Sequence, residues 1–347
     1  MKRKRWFSMI ILAVMAVIVL SGCSVWGGGT GTGEIDPPPK NSGLQDENSD
    51  DEPAMADYSG PTMEITGYYA DANGLVAPIS MRVPYEEGTA RTTLAYMVDG
   101  GPGGALLPDG FRALIPQGTQ VQLDIQEDGT AVVDFSNEFA SYNVQDERKI
   151  LEAVTWALTE FEQIDRVSLR LNGQPLQEMP VNGTPVGASL TRGAIGINLE
   201  RAKGVDYGQS TPVTLYFQST TDDGYDYFVP VTRLIARTDN PALAVMHELI
   251  KGPMNGSLSG VIASSAEVLD LQKEDGLIRV DLNEEVMTED LRTPQESIQS
   301  VVLSLTETTG LEKVQIMVNG SAEVWSTDEQ LYDMPVAQPA HLNKIGL

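Results

Sequence analysis

From Met63 to Tyr69 and again from Leu75 to Val83 the chain is rich in apolar residues, and Asp71-Ala72-Asn73-Gly74 between the runs has turn chemistry. The pattern predicts two strands joined as a hairpin. Thr89 to Val98 predicts a helix, with Leu94 and Val98 at i, i+4 on one face, Ala90 and Met97 near it, and Gly100 and Pro102 ending it. Val121, Leu123 and Ile125 alternate with polar residues, as do Ala131, Val133 and Phe135 after the turn Glu127-Asp128-Gly129. That predicts a second hairpin with one buried face. Ile150, Val154, Leu158 and Phe161, with Leu151 beside them, lie at helical spacing and predict the main amphipathic helix. Val167, Leu169 and Leu171 then lead to Asn172-Gly173, a pair that tolerates the positive φ of a tight hairpin turn. The element order is roughly ββαββαββ, a set of helices that bury one stripe on one face of a sheet.

The pattern then recurs. Shifted by 147 positions, 129–173 lies over 276–320 without a gap, and eleven of 45 positions are identical, among them Asp134/Asp281, Glu138/Glu285, Glu160/Glu307 and Asn172-Gly173/Asn319-Gly320. Phe135/Leu282, Leu151/Ile298 and Leu169/Ile316 keep apolar character. A period this long points to a duplicated folding unit rather than a solenoid. Val213–Phe217 and Tyr227–Leu234 open the second copy as strands, and Asn240-Pro241 starts its first helix, with Asn suited to the cap and Pro to the first helical position. The reading is α+β: two tandem copies of a small helix-on-sheet module, at 62–182 and 211–335. A connector at 183–210 has no clear period, and the tail at 336–347 reads as loose.

The N-terminus differs in kind. Lys2-Arg3-Lys4-Arg5 precedes an apolar run from Phe7 to Leu20 broken only by Ser8. That is a secretory signal, and it is short for a membrane span of about 20 residues. Leu20-Ser21-Gly22-Cys23 resembles a bacterial lipobox, and Cys23 is the sole cysteine. Residues 1–22 are therefore expected to be a lipoprotein signal peptide, with Cys23 the lipidated residue. Two acyl chains (palmitate-like) are enough for stable anchoring, here on the extracytoplasmic face of the cell membrane. The stretch 23–61 is Gly, Ser, Pro, Asp and Glu with few large apolar residues, so it reads as a disordered acidic linker. Its random-coil reach is on the order of 30–40 Å.

The net charge is −26, and removal of 1–22 takes away four cations and no acid, leaving −30. Such a chain disfavours nucleic acid, whose phosphates call for clustered Lys and Arg. One cysteine excludes an internal disulfide and Cys₄ metal sites. Of the two histidines, His247 reads as a partly buried helix residue and His341 falls in the tail. Gly256-Ser257-Leu258-Ser259-Gly260 has its serines at the wrong offsets for a nucleophile elbow. Gly100 to Gly104 lacks the following Lys-Ser/Thr of a phosphate cradle and reads as a flexible exit from the helix. The repeated Asp134/Glu138 and Asp281/Glu285 are open to acid–base or Ca²⁺ chemistry. The simpler reading is that each aspartate accepts hydrogen bonds from loop amides. No catalytic residue, cofactor or metal ligand is assigned.

The lipobox, the acidic spacer with Glu34-Ile35-Asp36-Pro37-Pro38 and the two copies resemble the GerM-type sporulation and germination lipoproteins. The residues that carry the resemblance are Leu107 to Ala113, Asp134 to Phe139, Val154 to Thr159, Glu178 to Val181 and Gly183-Thr184-Pro185. The resemblance implies two tandem GerMN domains, similar to the ring-building modules of secretion systems and of the sporulation channel. It implies a non-enzymatic assembly lipoprotein between mother-cell and forespore membranes. Its expected partners are envelope proteins of the sporulation channel or a related assembly, with a ring or homo-oligomer as one form. The alternative is a peptidoglycan- or small-ligand-binding lipoprotein using Tyr142, Tyr225 and Tyr227 as exposed stacking groups. A third reading is a wall hydrolase using Asp134 or Glu138.

Overall fold

The computed structural model describes residues 59–345. The signal segment, Cys23 and nearly all of the linker lie outside the described residues. The first module begins with an antiparallel hairpin, β1 (Thr62–Ala70) and β2 (Val76–Pro84). Helix α1 (Thr89–Tyr96) follows, then β3 (Val121–Ile125), β4 (Thr130–Phe135), α2 (Glu147–Leu158), β5 (Arg166–Leu171) and β6 (Gln174–Pro175). The last four strands form one sheet in the order β3-β4-β5-β6, with β4 and β5 parallel and the others antiparallel. The predicted turn is present: Asn172 has φ 48 and Gly173 φ 77. Helix α2 stops at Leu158, so Phe161 sits in the following turn rather than on the helix.

Two short elements, α3 (Arg192–Ile195) and β7 (Glu200–Arg201), lead to the second module. It has the hairpin β8 (Ser210–Thr220) and β9 (Asp226–Ala236), then α4 (Pro241–Lys251), β10 (Val268–Glu274), β11 (Leu277–Leu282), α5 (Gln295–Thr309) and β12 (Lys313–Val318). Three two-residue strands end the chain: β13 (Val324–Trp325), β14 (Leu331–Tyr332) and β15 (Val336–Ala337). The second sheet runs β10-β11-β12-β15, again with its middle pair parallel. Asn240 caps α4 by accepting from Leu243 N, and Pro241 occupies the first turn, as the sequence predicts. The two hairpins share one register: Tyr68 faces Pro78, and Tyr216 faces Pro230.

One expectation changes. The connector, in which the sequence shows no clear period, is ordered and contains β7, which pairs in parallel with β9. The tail, expected to be loose, is packed. Val336 and Ala337 pair with β12, Leu342 packs on Tyr216, Phe228 and Leu303, and Ile345 N donates to Ser80 O at 3.1 Å. The tail is in fact the second copy of the connector. Arg192 donates to Thr159 Oγ1 and Trp156 O, while Gln338 donates to the equivalent Thr306 Oγ1 and Leu303 O. Its Pro, Ala and Gln content conceals this, because its bonds go mainly to backbone, and backbone partners leave little mark on residue type.

A pair of asparagines bridges the modules. Asn198 accepts from Val76 N at 2.8 Å and donates to Val76 O and Pro230 O, both at 2.7 Å. Asn343 accepts from Phe228 N at 2.8 Å and donates to Phe228 O at 2.7 Å and Pro78 O at 2.8 Å. Phe228 is the hairpin equivalent of Val76, and Pro230 of Pro78. The contact is therefore reciprocal, as at an isologous dimer interface, but made within one chain. Both asparagines hold φ above zero, at 45 and 53, which Asn tolerates better than other non-glycine residues. Outside these carboxamides, Thr232 N donates to Ile197 O at 2.7 Å and Ser80 N to Asn343 O at 3.2 Å. Each module's trailing segment thus crosses to the other module's second strand.

Replacing Asn343 by Gly keeps the backbone conformation accessible but strips partners from Phe228 and Pro78. We expect a loss of about 2–4 kcal/mol in urea unfolding, given about 1–3 kcal/mol for each buried polar group left unpaired. The exposed His247→Ala control should be within about 0.5 kcal/mol of the parent. Equal midpoints for the two variants would show that the clamp carries no load.

Candidate functional site

Asp134 and Asp281 do the same structural job. Asp134 Oδ1 accepts from Gly173 N at 2.9 Å, and Asp281 Oδ1 accepts from Gly320 N at 3.0 Å. Each aspartate on a middle strand thus holds the hairpin turn that follows the neighbouring parallel strand. Asn172 and Asn319 add side-chain bonds to Asn137 and Glu284. Glu138 and Glu285 are exposed and accept from Ser136 and Ser265. Among the described residues, no group of three or more His, Cys, Asp or Glu is placed to hold a metal ion.

The tyrosines offered for stacking are not exposed. Tyr227 is 3% exposed and donates to Asp71 Oδ2 at 2.8 Å. Tyr225 lies stacked on it at 6.0 Å, half-buried. Tyr142 is half-buried and donates to Glu147 Oε2 at 2.8 Å. All three stand beside acidic or polar residues in the sequence, yet each is at least half-buried. His247 is exposed, not partly buried, and His341 Nε2 lies 3.1 Å from Glu64 Oε2. The glycine run after α1 is tightly folded rather than a flexible exit. A Cβ on Gly103 would sit 2.1 Å from Tyr96 O, and one on Gly101 would sit 2.8 Å from Val98 O.

A cluster of charge lies at the seam. Arg192 reaches Glu160 at 2.8 Å and Glu307 at 2.7 Å, and its guanidinium covers Trp156 at 4.4 Å. Tyr68 OH donates to Glu160 Oε1 at 2.5 Å. Glu160 and Glu307 are equivalents in the two copies, so one cation bridges two matched anions from opposite modules. Burial opposes the charge on Arg192, but Glu160 and Glu307 overcome that and hold its pKa well above the ordinary value. Burial raises the Glu307 pKa despite the cation, and the negative charge of Glu160 adds to the rise.

A second cation, the fully buried Arg233, ties the connector to the second module. It bonds Glu200 Oε2 through Nη2 at 2.7 Å, Glu248 Oε2 at 3.0 Å and Gly252 O at 3.0 Å. Sequence reasoning missed both arginines. Arg233 stands inside an apolar strand, and Arg192 in a segment without period. An arginine amid strongly apolar neighbours was the one available signal for Arg233.

A family model for sporulation and spore germination, Germane, matches residues 66–177 and 214–324, once on each module. The chain belongs to the Germane family. It is 37% identical over 351 residues to the spore germination protein GerM of Bacillus subtilis (strain 168), covering 94% of this chain and 95% of that protein. The solved tandem GerMN domains of the sporulation protein GerM from Bacillus subtilis superpose with a TM-score of 0.77 at 38% identity, covering 82% of this chain and 99% of that one. In this Germane protein, then, the tandem arrangement and the α+β modules are as the sequence reading has them. These relatives are named as spore germination and sporulation proteins, and neither is named as an enzyme.

The seam has a pH signature. Glu307 binds its proton more tightly in the folded chain, so its share of stability falls as pH rises from its ordinary value of 4.5 through the raised one. Removing the cation with Arg192→Met leaves the largely buried Glu307 carboxylate unpaired beside the more exposed Glu160 and should cost about 1–3 kcal/mol at pH 7, less than a fully buried pair because solvent screens Glu160. The gap between parent and variant should narrow as pH is lowered from 7 toward 4.5, and Glu307→Gln in the same chain should recover much of the loss at pH 7. Urea unfolding at both pH values checks this; a pH-independent gap would contradict it.

Proposed function

We propose that this Germane protein is a membrane-anchored, extracytoplasmic lipoprotein that acts as a non-enzymatic assembly component in sporulation and spore germination. Lipid on Cys23 would hold it to the membrane, and the acidic linker would set the two modules away from the bilayer. On this reading its partners are envelope proteins of the sporulation channel or a related assembly in the space between mother-cell and forespore membranes. The observation that carries the reading is the use of the repeated carboxylates. In both copies the aspartate that acid–base chemistry would need is bonded to a hairpin amide, at 2.9 Å and 3.0 Å. The locked seam supports it as well, because a rigid body with fixed module geometry is what a scaffold has to offer.

Two variants test it. Cys23→Ala should move the protein from the membrane fraction to the soluble fraction; retention in the membrane would remove the lipid anchor from the account. Asp134→Asn keeps an oxygen to accept from Gly173 N but abolishes a carboxylate. Sporulation and germination should be unchanged in that strain, and loss of either with normal protein levels would reinstate carboxylate chemistry.

A further inference from the structure

Four exposed apolar side chains fall in two neighbouring stretches of the second module. Leu291 is 72% exposed, Trp325 47%, Leu331 37% and Met334 69%. Trp325 and Leu331 are direct cross-strand partners on β13 and β14. The loop bearing Leu291 is tied alongside them. Thr293 N donates to Trp325 O at 2.8 Å, Thr327 N donates to Thr293 O at 3.0 Å, and Arg292 lies 5.8 Å over the Trp325 ring. Leu291 itself has φ 57. That conformation is strained for a non-glycine residue, and so exposed a side chain offsets little of the strain by packing within the chain.

The first module builds the matching surface differently. Glu178 stands where Trp325 does, Val144 (also exposed, at 48%) where Leu291 does, and Glu147 where Pro294 does. Glu147 is buried and accepts from Asn182 N at 2.6 Å, Thr184 N at 2.9 Å and Tyr142 OH at 2.8 Å. Burial alone would raise its pKa, yet these bonds bring it down to about 2. Its loop is thereby fastened down. Pro294 can make none of these bonds, and the second module presents an indole instead.

The rim of the patch is acidic. Glu289, Asp290, Asp328, Glu329 and Asp333 are all exposed, and Arg292 is the sole cation within 288–294 and 321–335. An aromatic and aliphatic centre inside a polar rim is the arrangement of binding hot spots. We propose that this patch docks a basic segment of a partner protein that carries an apolar or aromatic anchor side chain. The inference deepens the assembly reading and rests on it. The charge of the rim repels anionic lipid headgroups and a second copy of this face alike.

The probe is an acetylated, amidated peptide, Lys-Arg-Lys-Leu-Phe-Lys-Arg-Lys, labelled with fluorescein and titrated with the full chain. Its control has Gly-Gly in place of Leu-Phe. The native protein should bind the probe at least about tenfold more tightly than the control. Trp325→Ser should lose that preference, and Glu329→Lys should weaken binding and flatten its salt dependence. Leu291→Asn, which suits positive φ, should raise the unfolding midpoint while weakening the probe several-fold, so binding and stability move in opposite directions. Equal binding of probe and control overturns the proposal. So does Trp325-dependent binding to phosphatidylglycerol vesicles, or a dimer that Trp325→Ser abolishes. In sporulating cells, a photocrosslinking residue at Leu331 should capture a protein. Capture from Asp124 in the first module but not from Leu331 overturns the patch and leaves the assembly reading standing; capture from neither position overturns both.

Discussion

Two strand edges govern the architecture. β2 and β9 are each buried along nearly their whole length, and each is hydrogen-bonded to its own hairpin partner on one side. The other side of each must be satisfied too, because a buried backbone group left unpaired costs as much as a lost hydrogen bond. The two edges do not pair directly, and the carboxamides of Asn198 and Asn343 bridge them. One amide with two N–H donors and one acceptor oxygen meets three backbone groups, which is why Asn serves where Ser or Asp would leave a group unmet. The outer edge of β8 is closed in the same spirit. Ser300 Oγ donates to Tyr216 O, while Ser304 Oγ and Thr308 Oγ1 accept from Tyr216 N and Thr214 N. These residues recur at i, i+4 and i+8, so one stripe of α5 lies against a strand edge.

The near two-fold relation explains the placement of charge. Equivalent residues meet across the seam, and Glu160 and Glu307 would repel if nothing stood between them. The first copy carries Arg192 where the second carries Gln338, so a single cation breaks the symmetry and neutralises part of the pair. A gene duplication can deliver matched anions but not the one cation between them, and this difference between connector and tail makes the two halves complementary. The same divergence shapes the surface. Glu147 fastens a loop in the first module, while Pro294 and Trp325 leave the corresponding face apolar in the second.

The parts of this design legible in the sequence are those with a period or a turn signal. The hairpins, α2, α5 and the Asn-Gly turns follow from apolar spacing, and the duplication follows from identities such as Asp134/Asp281. The seam was hidden because its residues have no period. Asn198 and Asn343 act through backbone at distances of 122 and 265 residues. Ser300 and Ser304 look like the solvent face of a helix and are buried. The tail looked loose since Leu342 is an isolated apolar residue among Pro, Ala and Gln. For the candidate chemistry, residue types indicated which carboxylates to weigh, and the favoured simple reading of Asp134 and Asp281 matches their geometry. The stacking tyrosines failed because a polar neighbourhood in sequence says little about which side of a loop a ring takes.

The central claim is that two similar modules behave as one rigid body through their exchanged trailing segments. Scanning calorimetry of the intact chain tests it most directly. The account predicts one endotherm with a calorimetric enthalpy equal to the van't Hoff value for the whole folded mass. Two resolved endotherms, each with the enthalpy of a single module, would contradict it.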